Sequence, residues 1–186
     1  MPKHICILLV FFLLLLMPVR SYCMEAKITN FLVTNTADDV LVYFGVTDCF
    51  TKDMEEAILA GIPATFTFLL ELYQERKYWL DKKESYLKVK HTIKYDNVKK
   101  TFYVSFTENG GKPVAFSDFD EAKGAMADVN GITITPLNLL RRDRQYYIRV
   151  KAQMDKVRLP LHIEHILFFV SMWDFETDWY KQGFVY

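Results

Sequence analysis

Along much of this chain apolar and polar residues alternate with period two. Leu87, Val89, His91 and Ile93 alternate with Lys88, Lys90, Thr92 and Lys94. A turn at Tyr95-Asp96-Asn97 leads into Phe102, Val104 and Phe106, which alternate with Thr101, Tyr103, Ser105 and Thr107. Successive side chains of a strand point to opposite faces, so this is an antiparallel pair with one face on a core and one in water. Ile28 to Thr34 and the set Val40, Val42, Phe44 and Val46 flank the polar cluster Asn35 to Asp39, which predicts a second hairpin. Ala64, Phe66, Phe68, Leu70 and Leu72 share one side of a further strand, with Thr65, Thr67 and Glu71 on the other. Phe68 to Leu80 also fits a helix, but Thr65-Phe66-Thr67-Phe68 is poor helix sequence and favours the strand. Tyr146, Ile148, Val150, Ala152 and Met154 alternate with Tyr147, Arg149, Lys151 and Gln153 in another half-buried strand.

Helical spacing is confined to short segments. Thr51 is placed to cap a helix with Asp53, Glu55 and Glu56 in its first turns and Gly61 and Pro63 after it. Its apolar stripe is only Met54, Ala57 and Ile58. Ser117 and Asp118 cap a second helix, with Phe119, Ala122, Met126 and Val129 on one face and Asn130-Gly131 at its end. Ile132 and Ile134 then make a short strand cut by Pro136. Pro160 opens an apolar segment, Leu161 to Trp173, compatible with a third helix, and the chain closes on a strand-like Phe184-Val185-Tyr186. No long amphipathic helix separates successive strands, so a parallel sheet of βαβ units is not expected. The pattern predicts a mainly β fold. It is an antiparallel two-sheet sandwich, immunoglobulin-like, of six or seven strands with two or three short helices.

The N-terminus follows a different rule. Ile5 to Val19 is apolar throughout apart from Pro18, and Lys3 precedes it. A charged start and an apolar run shorter than the roughly 20 residues of a spanning helix describe a secretory signal peptide. Cleavage after Cys23 would place Ser21 and Cys23 at the two specificity positions, so residues 1–23 are expected to leave and 24–186 to form a single domain. The expected location is periplasmic. The alternative is an uncleaved segment anchoring the chain to the inner membrane. Lipidation at Cys23 fits poorly, with Tyr22 before it and Arg20 nearby.

Composition changes this picture little. The 23 basic and 23 acidic residues balance, which leaves no overall basic footprint for nucleic acid. Of three cysteines, Cys6 and Cys23 would leave with the signal, and Cys49 alone cannot form an internal disulfide.

Candidate chemistry is sparse. His162-Ile163-Glu164-His165 matches neither H-E-x-x-H nor H-x-x-E-H. Asp174, Glu176 and Asp178 resemble the first ligands of a calcium loop, but Trp179 and Val185 stand where Gly and a bidentate Glu are needed. On a strand these carboxylates would form a solvated face, opposite Trp173, Phe175 and Trp179 as a buried one. His91 reads as a core histidine. There is no G-x-S-x-G elbow, no G-x-G-x-x-G and no P-loop. Neither an enzyme nor a cofactor is expected.

A set of local motifs nevertheless forms a recognisable whole. It comprises Asp38-Asp39, Tyr43-Phe44, Thr47-Asp48-Cys49-Phe50, Glu55-Glu56-Ala57-Ile58 and Gly61-Ile62-Pro63. It continues with Thr65-Phe66-Thr67-Phe68, His91-Thr92-Ile93-Lys94-Tyr95-Asp96 and Phe168-Phe169-Val170-Ser171, and closes with Trp173-Asp174-Phe175-Glu176-Thr177-Asp178-Trp179-Tyr180. Together these resemble the bacterial domain-of-unknown-function 4390 family. The resemblance implies exported proteins of Gram-negative bacteria, with membrane sensor kinases as a partner class. It supplies no catalytic residues.

The expected function is therefore a non-enzymatic interaction module of the cell envelope that binds another envelope or membrane protein. Asp174, Glu176 and Asp178 are its candidate surface. The alternative is a binder of an apolar ligand such as a lipid or acyl chain, suggested by 15 Phe, 11 Tyr and 3 Trp. Phe66, Phe68, Phe168, Phe169 and Trp173 would then line the wall.

Overall fold

A hairpin with a bulge opens the fold. The structure, a computed structural model, describes residues 25–155 and 175–186. The expected signal segment and the segment Leu161 to Trp173 lie outside the described residues, with His162, Glu164, His165, Phe168, Phe169 and Asp174. Strands β1 (Lys27–Asn35) and β2 (Asp39–Thr47) pair antiparallel across a turn in which the Thr36 hydroxyl accepts the Asp38 and Asp39 amides. Helix α1 (Lys52–Leu59) follows, and its Thr51 cap accepts the Met54 amide at 3.3 Å. Then come β3 (Ala64–Gln74), β4 (Lys82–Asp96), β5 (Thr101–Phe106) and β6 (Pro113–Phe116). Helix α2 (Phe119–Ala127) is capped by Asp118, which accepts the Glu121 amide at 2.9 Å. Strands β7 (Asp128–Pro136), β8 (Gln145–Met154) and β9 (Tyr180–Val185) complete the described chain.

Two antiparallel sheets result, as expected, split three strands against six. The small sheet has the order β1-β2-β7 and the large one β6-β5-β4-β3-β8-β9. Alternation decides which faces meet. On β3, Ala64, Phe66, Phe68, Leu70 and Leu72 are all fully buried, and the Phe68 ring meets Phe44 of β2 at 5.6 Å across the interior. The Ser85 hydroxyl donates to the Ile134 carbonyl at 2.7 Å, tying β4 to β7. Both helices bury their narrow apolar stripes on this core, Met54, Ala57 and Ile58 from α1 and Ala122, Met126 and Ala127 from α2.

Two boundaries depart from the sequence expectation. The second helix stops at Ala127, and Val129 belongs to β7, paired with Phe44. The register of β7 shifts between Val42 and Phe44 of β2, so β7 holds an extra residue there. Gly131 takes φ of 68° at that bulge, where a Cβ would come within 3.0 Å of the Tyr43 hydroxyl. Buried Val129 follows buried Met126 at a spacing of three, which in sequence continues the helical face. Strand β6 lies in a stretch where the sequence pattern predicts no element; it is a four-residue edge strand opened by Pro113, a short form that limits further pairing.

Candidate interaction surface

Side chains that alternate with the buried set of β3 and β8 point to the outer face of the large sheet. Glu71 lies there, with only 6% of its surface exposed. Its carboxylate accepts from Lys83 Nζ at 2.6 Å, Arg149 Nε at 2.5 Å and the Tyr73 hydroxyl at 3.1 Å. Burial alone would raise the Glu71 pKa. The hydrogen bonds from Lys83, Arg149 and Tyr73 outweigh that cost and hold it below its ordinary value. Around this anchor the aromatics stack. Tyr73 and Tyr147 lie nearly parallel at 5.1 Å, Lys181 sits 3.5 Å over Tyr147, and the Arg149 guanidinium lies 4.4 Å over Trp179. The Tyr147 hydroxyl donates to Asp81 at 3.1 Å; burial and that carboxylate push its pKa up to about 12.

Charge on the face is largely paired. Lys83 and Arg149 meet Glu71, Lys90 meets Asp155, Lys151 meets Glu176 and Lys181 meets Glu75, while exposed Lys88 makes no ion pair among the described residues. Tyr86, 54% exposed, and Trp179, 37% exposed, interleave with these cations.

The C-terminal motif is built differently from the sequence expectation. Trp179, expected in the core, lies half-exposed against Arg149 and Lys151. The reason is local. Among its described residues the segment forms a single isolated bridge, Glu176 to Gln153, and regular pairing starts at Tyr180. Thr177 takes the buried place: its amide donates to the Ala152 carbonyl at 2.9 Å, and its hydroxyl accepts the Ala152 amide at 3.0 Å. Phe175 is half-buried with its ring 4.8 Å from Phe66, and Trp173 lies outside the described residues. Trp179→Ala should accordingly cost about 1 kcal/mol, the scale of a partly exposed cation–π contact, measured as the change in thermal unfolding.

Glu176 and Asp178 are exposed, and Glu176 pairs with Lys151. Asp178 helps line an open cleft of about 360 Å³ with Ala26, Ile28 and Trp179. Of the candidate apolar wall, Phe66 and Phe68 are fully buried. Their rings meet Phe50 and Phe175, and Phe44 and His91, at 4.8–5.6 Å. Phe168 and Phe169 belong to the segment outside the described residues.

Two groups with catalytic potential are held away from solvent. His91 is fully buried; its Nδ1 donates to the Met126 carbonyl at 3.0 Å and its Nε2 lies 2.8 Å from Glu108 Oε1. Met126 lies in the last turn of α2, where carbonyls lack intrahelical partners, so the imidazole serves as a helix end cap. Cys49 is buried and its thiol donates to the Val46 carbonyl, with burial pushing its pKa up to about 12. Among the described residues no cluster of three or more His, Cys, Asp or Glu could hold a metal ion.

The chain matches the family described as a domain of unknown function, DUF4390, over residues 24–182. It belongs to the DUF4390 family. No curated protein and no solved structure matches it. In this DUF4390 chain the sequence reading missed the outer face, because the face joins residues of four strands. Its local signal was the alternation of Lys88 with Lys90 on β4 and of Tyr147, Arg149 and Lys151 on β8.

Proposed function

We propose that this DUF4390 chain is a non-enzymatic interaction module exported to the cell envelope. It docks through the outer face of its large sheet onto another envelope or membrane protein, a sensor kinase being the class the family resemblance suggests. The observation that carries this reading is the lattice of Tyr73, Tyr147, Trp179, Arg149, Lys151 and Lys181, anchored on buried Glu71. Aromatic and arginine side chains held in fixed geometry have little conformational freedom left to lose on binding, and both are enriched at protein interfaces. Exposed Lys88, which makes no ion pair among the described residues, and the cations beside it fit a partner presenting carboxylates. The burial of His91 and of the Cys49 thiol supports a role without covalent or acid–base chemistry. Export is supported by the apolar run Ile5 to Val19 and by a family match that begins at residue 24, directly after the expected cleavage point.

Site-specific photocrosslinking in intact envelopes tests the proposal. A photoreactive residue at Lys181 should give one discrete adduct containing a membrane protein. The same probe at Val114, exposed on the far edge strand β6, should not. No adduct from Lys181, or an identical adduct from both positions, would remove the outer face from the account.

A further inference from the structure

The hairpin joining β3 to β4 ends in a loop whose tip is unlike the rest of the surface. Tyr78, Trp79 and Leu80 are consecutive and are 87%, 76% and 83% exposed. Single exposed apolar residues are ordinary, but three adjacent ones at a projecting tip form an uncovered apolar knob. The loop is held in shape. Asp81 accepts the Arg76 amide and the Tyr147 hydroxyl, both at 3.1 Å, and the Glu75 amide donates to the Gln145 carbonyl at 2.9 Å. The knob is therefore presented by a braced stem.

Cations surround it. Arg76 and Lys77 precede the knob, Lys82 and Lys83 follow it, and the Lys77 ammonium lies 5.5 Å over the Tyr78 ring. The stem of the neighbouring loop brings Arg144 beside Arg76 and Lys77 around a shared cleft, with Arg141 and Arg142 before it in the chain. Of the nearby carboxylates, Asp81 is engaged with the stem, Glu84 with Lys82 and Glu75 with Lys181, while exposed Asp143 lines the same cleft beside Arg144. Among the described residues Arg76, Lys77 and Arg144 make no ion pair. Exposed Leu139 and Val185 follow from strand ends on the same side of the sandwich.

We infer that this tip seats the protein on an anionic bilayer, with Tyr78, Trp79 and Leu80 entering the headgroup layer and the flanking cations facing lipid phosphates. Tyr and Trp favour the headgroup level, an aliphatic side chain beside them reaches the acyl boundary, and basic residues are drawn to anionic lipid. A convex knob of three side chains is small for a specific protein interface, which covers roughly 800 Å² on each partner. A bilayer needs no complementary pocket. The inference takes its setting from the envelope reading, and its test is independent of the outer face.

Trp79 is its own probe. The substitutions Trp173→Phe and Trp179→Phe leave it as the sole tryptophan. The full chain, expressed with its own N-terminal segment and purified from envelopes in the length it accumulates, is mixed with vesicles of brominated phosphatidylcholine. These are prepared with or without phosphatidylglycerol. Insertion predicts a blue shift and a loss of Trp79 emission of about twofold in the anionic vesicles, with little change in the zwitterionic ones. Arg76→Glu with Lys77→Glu should abolish the quenching and leave the unfolding temperature unchanged, since both side chains are exposed. Unchanged emission in anionic vesicles, or equal quenching in both, would overturn the inference. A probe at position 79 that crosslinks a protein, with no quenching by lipid, would assign the tip to that partner instead. None of these results bears on adducts formed from Lys181.

Discussion

Phe68→Ala should destabilise the protein by about 3–5 kcal/mol, the range for deleting a fully buried aromatic ring. Phe68 has no exposed surface, and its ring stands edge-on to Phe44 at 5.6 Å and to His91 at 4.9 Å. It thus bridges the two sheets and also supports the imidazole that caps α2. Strand β3 is hydrogen-bonded to β4 on one side and to β8 on the other, so its backbone cannot move in to fill the space left behind. Phe68→Leu keeps most of the volume and should recover most of the loss. Denaturant midpoints of both variants, with an unchanged slope, check this. A loss below about 1 kcal/mol for Phe68→Ala would mean that the sheets are not closed on each other at this ring.

Glu71→Gln should cost about 2 kcal/mol at neutral pH and far less in acid, because it removes the charged acceptor of Lys83, Arg149 and Tyr73. The partners are partly exposed, and water recovers part of what they lose, so the cost stays below that of opening a fully buried ion pair. The pH dependence has a definite sign. The folded chain holds the carboxyl below its ordinary value of 4.5, so folding favours the charged form. That stabilisation is complete above the unfolded value and is lost as pH falls through the lowered folded one. Urea unfolding of the native chain and the variant at pH 7 and at pH 3 should show the gap closing. A gap that persists in acid would place the cost in packing instead of charge.

The strands were legible where one face packs and the other is wet. On β4, Val89, His91 and Ile93 are buried while Lys88 and Lys94 are exposed, and period two appears directly in the sequence. It failed at the start of β7, where Val129 follows Met126 at helical spacing. It also failed at β6, whose residues Pro113 to Ala115 are exposed on both faces and so carry no alternation. Trp179 was misplaced for a related reason: period two holds only along a paired strand, and pairing there does not become regular until Tyr180. The candidate surface was less legible than the fold. Glu71 and Arg149 are 78 positions apart and meet only through the β3–β8 register. Tyr78-Trp79-Leu80 fitted the end of an amphipathic helix; its exposure follows from the hairpin placing the run at a tip.

The outer face of the large sheet is proposed to hold a protein partner through its positive side chains. Charge reversal at Lys88, which is exposed and makes no ion pair among the described residues, checks this without disturbing the Glu71 cluster. Lys88→Glu should keep the unfolding temperature of the native chain and lose the membrane-protein adduct that forms from a photoreactive residue at Tyr86. A reversed chain that remains folded and gives the same adduct in the same yield would contradict it.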